Sequence, residues 1–181
     1  MSNIPSVNLS DFLSKDESLR KDFVSKIGKA YQEIGFVSLK GHFLSENNID
    51  DLYSQIKKFF DLPQEIKNKY EFDGFKGQRG YTSFGKEHAK GKKEGDLKEF
   101  WHFGQYIEKN NKDFNYPENI TVEEFPEFNQ AGYNTYKALE KTGIYVLRAI
   151  ALFLDLEEDH FDKYVILSLI HISEPTRPMN I

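Results

Sequence analysis

Apolar side chains recur through the first part of the chain with the spacing of helices, interrupted by two short runs typical of strands. Residues 16–35 carry an apolar residue every three or four positions, which predicts a helix with one buried face. The positions of that face are Leu19, Phe23, Ile27, Ala30, Tyr31 and Ile34. Gly35 is expected to end the helix, and the runs 6–9 and 36–39 predict short strands.

Four further helices follow from the same reasoning. Ser45 is a typical N-cap residue, Pro63 favours the first turn of a short helix, and Pro126 stands at the start of a long helical pattern over 126–154. The helix after Ser45 is expected to bury Ile49, Leu52, Ile56 and Phe59. The long helix is expected to bury Phe128, Tyr136, Leu139, Val146, Leu147, Ile150 and Leu154. Residues 157–165 predict a last, short amphipathic helix.

Between the helices, residues 71–96 show no periodicity and contain six of the twelve glycines. This composition predicts a long loop, and loops of that length are typically either disordered or functional. Arg79, Tyr81 and Phe84 in this stretch are residue types that can hold a ligand. Residues 98–106 then alternate in the manner of a strand.

Composition narrows the class of protein. A length of 181 residues predicts one compact unit, and 39% hydrophobic with 29% charged residues is typical of a globular chain. The net charge of −5 is spread over mixed acidic and basic residues, which argues against nucleic-acid binding. No apolar run approaches the roughly 20 residues of a membrane span. With no cysteine and no signal-like start, we expect a cytoplasmic location.

The last sixteen residues differ in composition from the rest of the chain. An apolar run from Ile166 to Ile172 is followed by a segment with two of the six prolines. The stretch from Leu167 to Arg177 resembles the translation of a sequencing adaptor, so we expect a domain over residues 1–165 and a foreign tail over 166–181. The alternative is a natural buried strand followed by a disordered end.

Several short motifs carry a family resemblance through their order and spacing. They are residues 4–10, Glu33-Ile34-Gly35-Phe36-Val37 with Gly41-His42, Phe59-Phe60-Asp61-Leu62-Pro63 with Lys67, Arg79-Gly80-Tyr81, and Lys98-Glu99-Phe100. Over about residues 4–165 the chain resembles the N-terminal region of the isopenicillin N synthase-like superfamily of 2-oxoglutarate- and iron(II)-dependent oxygenases. The resemblance implies an α+β fold: a helical cap and the first strands of a double-stranded β-helix, or jelly roll, whose barrel is incomplete here.

The resemblance also implies cofactors and candidate substrate-binding residues. The full-length parent would use iron(II) and 2-oxoglutarate on a small-molecule substrate, with Arg79 and Tyr81 near the mouth of its active site. There the guanidinium of Arg79 would bind a substrate carboxylate. The alternative for Arg79 is a solvated surface residue.

Iron in this family needs a facial triad of two histidines and one carboxylate. The chain has one His-x-Asp spacing, at His160 and Asp162, but the surrounding sequence predicts a helix, where residues two apart diverge by about 200°. The other histidines are expected to be structural or at the surface: His42 in a turn, His88 in the loop, His102 in a strand beyond the reach of Glu99, and His171 in the tail.

We therefore assign no metal ligand and no catalytic residue in this chain, and expect the metal-binding segments of the parent to follow a break near Val165. Iron(II) and 2-oxoglutarate would then bind the parent and bind this fragment poorly. The long helix would keep an uncovered apolar face, which predicts poor solubility. The alternative function is a non-catalytic α+β module that binds a small anionic ligand at Arg79. The sequence does not predict the oligomeric state.

Overall fold

The computed structural model describes residues 4–75, 77–87, 95–106 and 117–168. In chain order the elements are β1 (Ser6–Asn8), α1 (Leu9–Phe12), α2 (Glu17–Glu33), β2 (Ser38–Lys40), α3 (Glu46–Phe60), α4 (Gln64–Asn68), a 3-10 turn (Asp73–Phe75), β3 (Gly80–Thr82), β4 (Phe100–His102), α5 (Pro126–Phe153) and α6 (Asp162–Ser168). This mixture of helices and short strands confirms the α+β class.

The chain divides into two compact units, where its length predicted one. The first unit contains Met1–Ser45 and Ala138–Ile181, and the second contains Glu46–Lys137. Each unit has its own cluster of buried apolar side chains and its own two-stranded sheet. Separate clusters explain why one chain of this length forms two units.

In the first unit, β1 pairs with β2 in parallel, with Val7 opposite Leu39. Asp16 caps α2, because its side chain accepts a hydrogen bond of 2.8 Å from the backbone N–H of Ser18. The buried residues of this unit's cluster are Val7, Leu9, Phe12, Phe23, Ile27 and Ala149. The strand pair and α2 therefore share one core.

Two of the apolar positions predicted to be buried on α2 are exposed. Phe23, Ile27 and Ala30 are buried as expected, whereas Leu19 and Tyr31 are 44% and 41% exposed. The neighbouring elements cover a stripe of the helix that is narrower than its apolar face, which the spacing of residues cannot reveal.

Gly35 ends α2, as the sequence predicted. Its φ of +81° is a left-handed conformation that favours glycine, and its N–H donates to the carbonyl of Ala30. The strand that follows begins at Ser38, two residues later than the apolar run had indicated.

In the second unit, aromatic rings from distant segments surround Phe59 of α3. Its ring centroid lies 4.8 Å from that of Trp101 in β4, 5.0 Å from that of Phe128 in α5 and 6.0 Å from that of Tyr81 in β3. Phe59 and Phe128 are fully buried, and the rings meet edge-on or stacked. The other three positions predicted to be buried on α3, Ile49, Leu52 and Ile56, are only half-buried. Gln55, which was not predicted to be buried, is buried.

The prediction that residues 71–96 form one long loop is wrong in part, since β3 lies inside this range and pairs antiparallel with β4. All three residues of β3 are buried, so the strand lacks the alternation of polar and apolar positions that marks a half-buried strand. The predicted strand over 98–106 is regular only across Phe100–His102.

Helix α5 begins at Pro126, as predicted, and ends at Phe153. Leu139 and Leu154, expected to be buried, are each 53% exposed, whereas Ala131 and Ala149 are buried. Phe128 on the same helix is fully buried, as predicted, so side-chain size alone does not decide which positions of α5 are covered. No helix in the described ranges is long and apolar enough to cross a membrane.

The predicted helix over 157–165 is wrong at its start. Residues 158–161 form a turn, and α6 runs from Asp162 to Ser168, past the expected boundary at Val165. His88, His171 and residues 169–181 lie outside the described residues. The division at residue 165 and the foreign origin of the tail therefore stay predictions.

Candidate functional site

A buried polar network joins α4 to the β3–β4 pair in the second unit. Lys67 donates to Oε2 of Glu99 at 2.8 Å, and the hydroxyl of Tyr81 donates to the same oxygen at 2.5 Å. Gln64 donates to the Tyr81 hydroxyl at 2.9 Å. One carboxylate oxygen thus accepts hydrogen bonds from both a helix and a strand, and we call these four residues the Lys67–Glu99 network.

The network lies among apolar side chains, which sets its electrostatics. The side chains of Lys67 and Glu99 are 7% and 17% exposed, and Lys67 also donates to the carbonyl of Phe60 at 3.2 Å. Because water has little access to this pair, each charged group is stabilised mainly by its partner in the protein. The ammonium also lies 5.7 Å from the centroid of the Tyr81 ring, on which a cation is favourable.

The phenol of Tyr81 is held in its neutral form. Burial raises the pKa of Tyr81 to about 12, and its hydrogen bond to the Glu99 carboxylate acts in the same direction. At neutral pH the phenol is therefore a hydrogen-bond donor and not a base. With 1% of its surface exposed, Tyr81 presents almost no surface to a ligand in this structure.

Arg79, the other predicted substrate-side residue, directly precedes β3 and is buried, with 7% of its surface exposed. The alternative of a solvated surface arginine is therefore wrong. Its Nη1 donates to the carbonyl of Gln78 at 2.7 Å, and its guanidinium lies against Gly104, where an added Cβ would fall 1.8 Å from Cζ. Binding of a substrate carboxylate by Arg79 stays a prediction.

The segment after β4 is fixed by Asn119, a residue that the sequence did not single out. Its Oδ1 accepts from the N–H of Gly104 at 2.7 Å, and its Nδ2 donates to the carbonyl of Gly104 at 2.9 Å. This pair of bonds holds the glycine against Arg79. No local pattern marks Asn119, because its partner lies fifteen positions away in the sequence.

The glycine of the Arg79-Gly80-Tyr81 motif is required by its surroundings. Gly80 has φ +73°, and an added Cβ would lie 2.6 Å from the carbonyl oxygen of Tyr70 and 2.9 Å from Ile120. The same carbonyl of Tyr70 accepts the N–H of Tyr81 at 3.0 Å. The motif therefore builds the strand that brings Tyr81 to the network.

The described residues do not fit an iron site, because no three His, Asp or Glu side chains among them lie close enough together to hold a metal ion. The Asp162 carboxylate of the His-x-Asp spacing receives two N–H groups of Arg148, at 3.2 and 2.6 Å, while His160 lies in the preceding turn. His102 is exposed, with Nδ1 2.5 Å from the carbonyl of Gly77. Asp162 and His102 are thus bonded to other groups of the protein, and His160 is not part of a metal-binding group among the described residues.

Known proteins similar to this chain include oxidases and oxygenases. A 1-aminocyclopropane-1-carboxylate oxidase of Dictyostelium mucoroides is 29% identical over 182 residues, which cover 93% of this chain and 48% of that protein. A 2OG-Fe(II) oxygenase family protein from Caulobacter crescentus matches in structure with a TM-score of 0.76 and 35% identity, over 90% of this chain and 52% of that one.

A third similar structure contains ligands. A full-length Neurospora crassa protein in complex with alpha-KG and thymine matches with a TM-score of 0.71 and 25% identity, over 88% of this chain and 50% of that one. The chain therefore spans about half the length of the relatives it matches.

A family model agrees with these similarities. The model described as "non-haem dioxygenase in morphine synthesis N-terminal" matches residues 4–127, which is more than half of the chain. That range contains the network, Arg79 and both strands of the second sheet. The chain therefore belongs to this non-haem dioxygenase N-terminal family, within the isopenicillin N synthase-like superfamily of 2-oxoglutarate- and iron(II)-dependent oxygenases.

Proposed function

We propose that this chain is the N-terminal part of an iron(II)- and 2-oxoglutarate-dependent oxygenase that oxidises a small organic substrate. The observation that carries the proposal is the family match over residues 4–127, in a chain that spans about half the length of its relatives. The described residues contain no group of side chains suited to iron. The iron ligands would therefore come from other residues. The jelly-roll barrel and a cytoplasmic location belong to the same proposal.

Within this proposal, the chain contributes residues that lie close to the bound substrate. The Lys67–Glu99 network fixes β3 against α4, and β3 directly follows Arg79. Arg79 and Tyr81 are the candidate substrate-binding residues. Both are buried, and the Tyr81 hydroxyl bonds Gln64 and Glu99, so substrate contact by either side chain is part of this proposal.

A chimaera tests the proposal. Residues 4–165 would be joined to the part of the Caulobacter crescentus protein that this chain does not cover, and the release of succinate from 2-oxoglutarate would be measured with iron(II). We expect succinate from the chimaera and from the intact Caulobacter protein, and none from the chain alone. A chimaera that folds and binds iron(II) but leaves 2-oxoglutarate unchanged would contradict the proposal.

The non-catalytic binding module is not favoured by the relatives, of which two are an oxidase and an oxygenase by name and the third is in complex with alpha-KG. The same assay separates the two functions. A module would bind a small anion at Arg79 in the chain alone, and its binding would not respond to iron(II). The Arg79→Lys variant would weaken such binding, because lysine lacks the planar fork that matches a carboxylate.

A further inference from the structure

Three tyrosine rings meet in the second unit, where the segment after β4 contacts α5. The centroid of the Tyr106 ring lies 4.8 Å from that of Tyr133 and 5.6 Å from that of Tyr136. Both contacts are edge-to-face, with angles of 82° and 72° between the ring planes. Among the described residues, no tyrosine outside this group has another tyrosine ring in contact with it. This group is therefore where two tyrosines of the described chain are placed to react with each other.

The pair of Tyr106 and Tyr133 combines close contact with access from the solvent. Tyr133 is 41% exposed, whereas Tyr106 is half-buried. An edge-to-face pair at this separation places the edge of one ring against the face of the other. Exposed side chains change their rotamers within nanoseconds, so the ring of Tyr133 samples several approaches to Tyr106. A reagent in solution thus reaches Tyr133 first, and Tyr133 is already beside Tyr106.

The hydroxyl ends of the three rings lie near one another. Burial raises the pKa of Tyr106 to about 12, and the phenols of Tyr133 and Tyr136 are close enough to act in the same direction. The ring carbons beside the hydroxyls are therefore also near one another. Those are the carbons through which two oxidised tyrosines join.

The chemistry of such a junction is an oxidation by one-electron steps. A phenol that loses an electron and its proton becomes a phenoxyl radical, whose unpaired electron is shared between the oxygen and the ring carbons beside and opposite the hydroxyl. Two such rings join by a carbon–carbon bond. In the net reaction each phenol gives up one hydrogen atom, and one molecule of hydrogen peroxide takes up both and becomes two molecules of water. A haem peroxidase supplies the one-electron steps.

We propose that Tyr106 and Tyr133 are an oxidative cross-linking site, at which hydrogen peroxide and a peroxidase join the two rings as dityrosine. Tyr133 is favoured over Tyr136 as the partner because its ring is closer to that of Tyr106 and is open to solvent. The bond ties the segment after β4 to α5. A covalent link between positions distant in the sequence restricts the unfolded chain, so it stabilises the folded second unit.

Oxidation of the full chain at low concentration with hydrogen peroxide and a haem peroxidase tests the site. The monomer would be isolated by gel filtration, and its dityrosine fluorescence and its tryptic fragments would be measured. We expect a fluorescent monomer and a joined pair of fragments that is lighter than their sum by two hydrogen atoms. Tyr106→Phe and Tyr133→Phe should each lose both signals, because phenylalanine keeps the ring but lacks the hydroxyl that is oxidised.

Tyr53→Phe is the matched control, because Tyr53 is 68% exposed but has no other tyrosine ring in contact with it among the described residues. This variant and Tyr136→Phe should both form the cross-link as the natural chain does. After oxidation, the urea midpoint should rise in the natural chain and in Tyr53→Phe, and should stay unchanged in Tyr133→Phe.

Three results would each overturn the site: no dityrosine in the natural monomer, an unchanged cross-link in Tyr133→Phe, or its loss in Tyr136→Phe. The reaction uses neither iron(II) nor 2-oxoglutarate. Its outcome is therefore independent of succinate release by the chimaera, and the inference does not rest on the proposed function.

Discussion

Lys67 and Glu99 are 32 positions apart in the sequence, yet their charged atoms lie 2.8 Å apart in the interior of the second unit. Replacing Lys67 by methionine would leave the Glu99 carboxylate buried without its cation. We expect this variant to lose about 3 kcal/mol of the free energy of unfolding, as is usual when one partner of a buried ion pair is removed. Urea unfolding followed by circular dichroism measures the loss.

A double variant and a surface pair make this test specific. Lys67→Met combined with Glu99→Gln should recover part of the loss, because the uncompensated charge is gone. Lys26→Met is the control, since Lys26 pairs with Asp22 one helical turn away at the surface, and such pairs contribute less than about 1 kcal/mol. Equal losses in Lys67→Met and Lys26→Met would contradict a buried, interdependent network.

The raised pKa of Tyr81 predicts a specific loss of stability in alkali. Unfolded tyrosine titrates near 10, whereas Tyr81 in the folded chain titrates at about 12. Between these values the unfolded chain releases a proton that the folded chain keeps, so stability falls as pH rises. The urea midpoint should decline more steeply between pH 10 and 12 in the natural chain than in Tyr81→Phe. Parallel declines would show that Tyr81 titrates normally.

Gly104 should tolerate no side chain, because an added Cβ would fall 1.8 Å from Cζ of Arg79. Gly104→Ala would displace the buried guanidinium and destabilise the second unit by about 1–3 kcal/mol. Gly143→Ala in α5 is the control, since no atom of the described residues lies within 4 Å of its added Cβ and alanine favours a helix over glycine by about 1 kcal/mol. Thermal unfolding should therefore shift in opposite directions, and a tolerated Gly104→Ala would be inconsistent with this packing.

Asp162 is expected to stabilise the chain and not to bind iron. Asp162→Asn removes the charge that receives two N–H groups of Arg148 and should cost about 1 kcal/mol, because both side chains are about 30% exposed. Anaerobic calorimetry with iron(II) should give the same result for this variant and the natural chain. Asp159→Asn, at an exposed neighbouring position, controls for the general loss of a carboxylate. A selective loss of iron binding in Asp162→Asn would make Asp162 a ligand.

The features predicted correctly from the sequence are those that local chemistry decides. Gly35 ends α2 because a left-handed residue is needed there, and Pro126 begins α5 because its fixed φ suits a first helical turn. Tyr81 was marked as a candidate residue by its type and its position beside Arg79. Its burial was not predictable, because the acceptor on Glu99 is eighteen positions away.

The features that were missed depend on contacts between distant segments. Strand β3 has no exposed position to reveal it, so only its pairing with β4 identifies it. Which positions of α5 are buried depends on what covers each turn: Ala131 and Ala149 are buried, whereas Leu139 is 53% exposed. Periodicity gives the face of a helix but not the width of the surface that covers it.

The parallel pair of β1 and β2 in the first unit is a ribbon of two three-residue strands, held by Val7 and Leu39 where they meet the core. Parallel strands are usually found inside wider sheets, because each ladder of so few bonds is weak by itself. In the described part of the chain, no third strand pairs with either outer edge. The outer backbone groups of this pair therefore have no strand partner within the described residues, and an outer edge is the position at which a sheet gains a further strand.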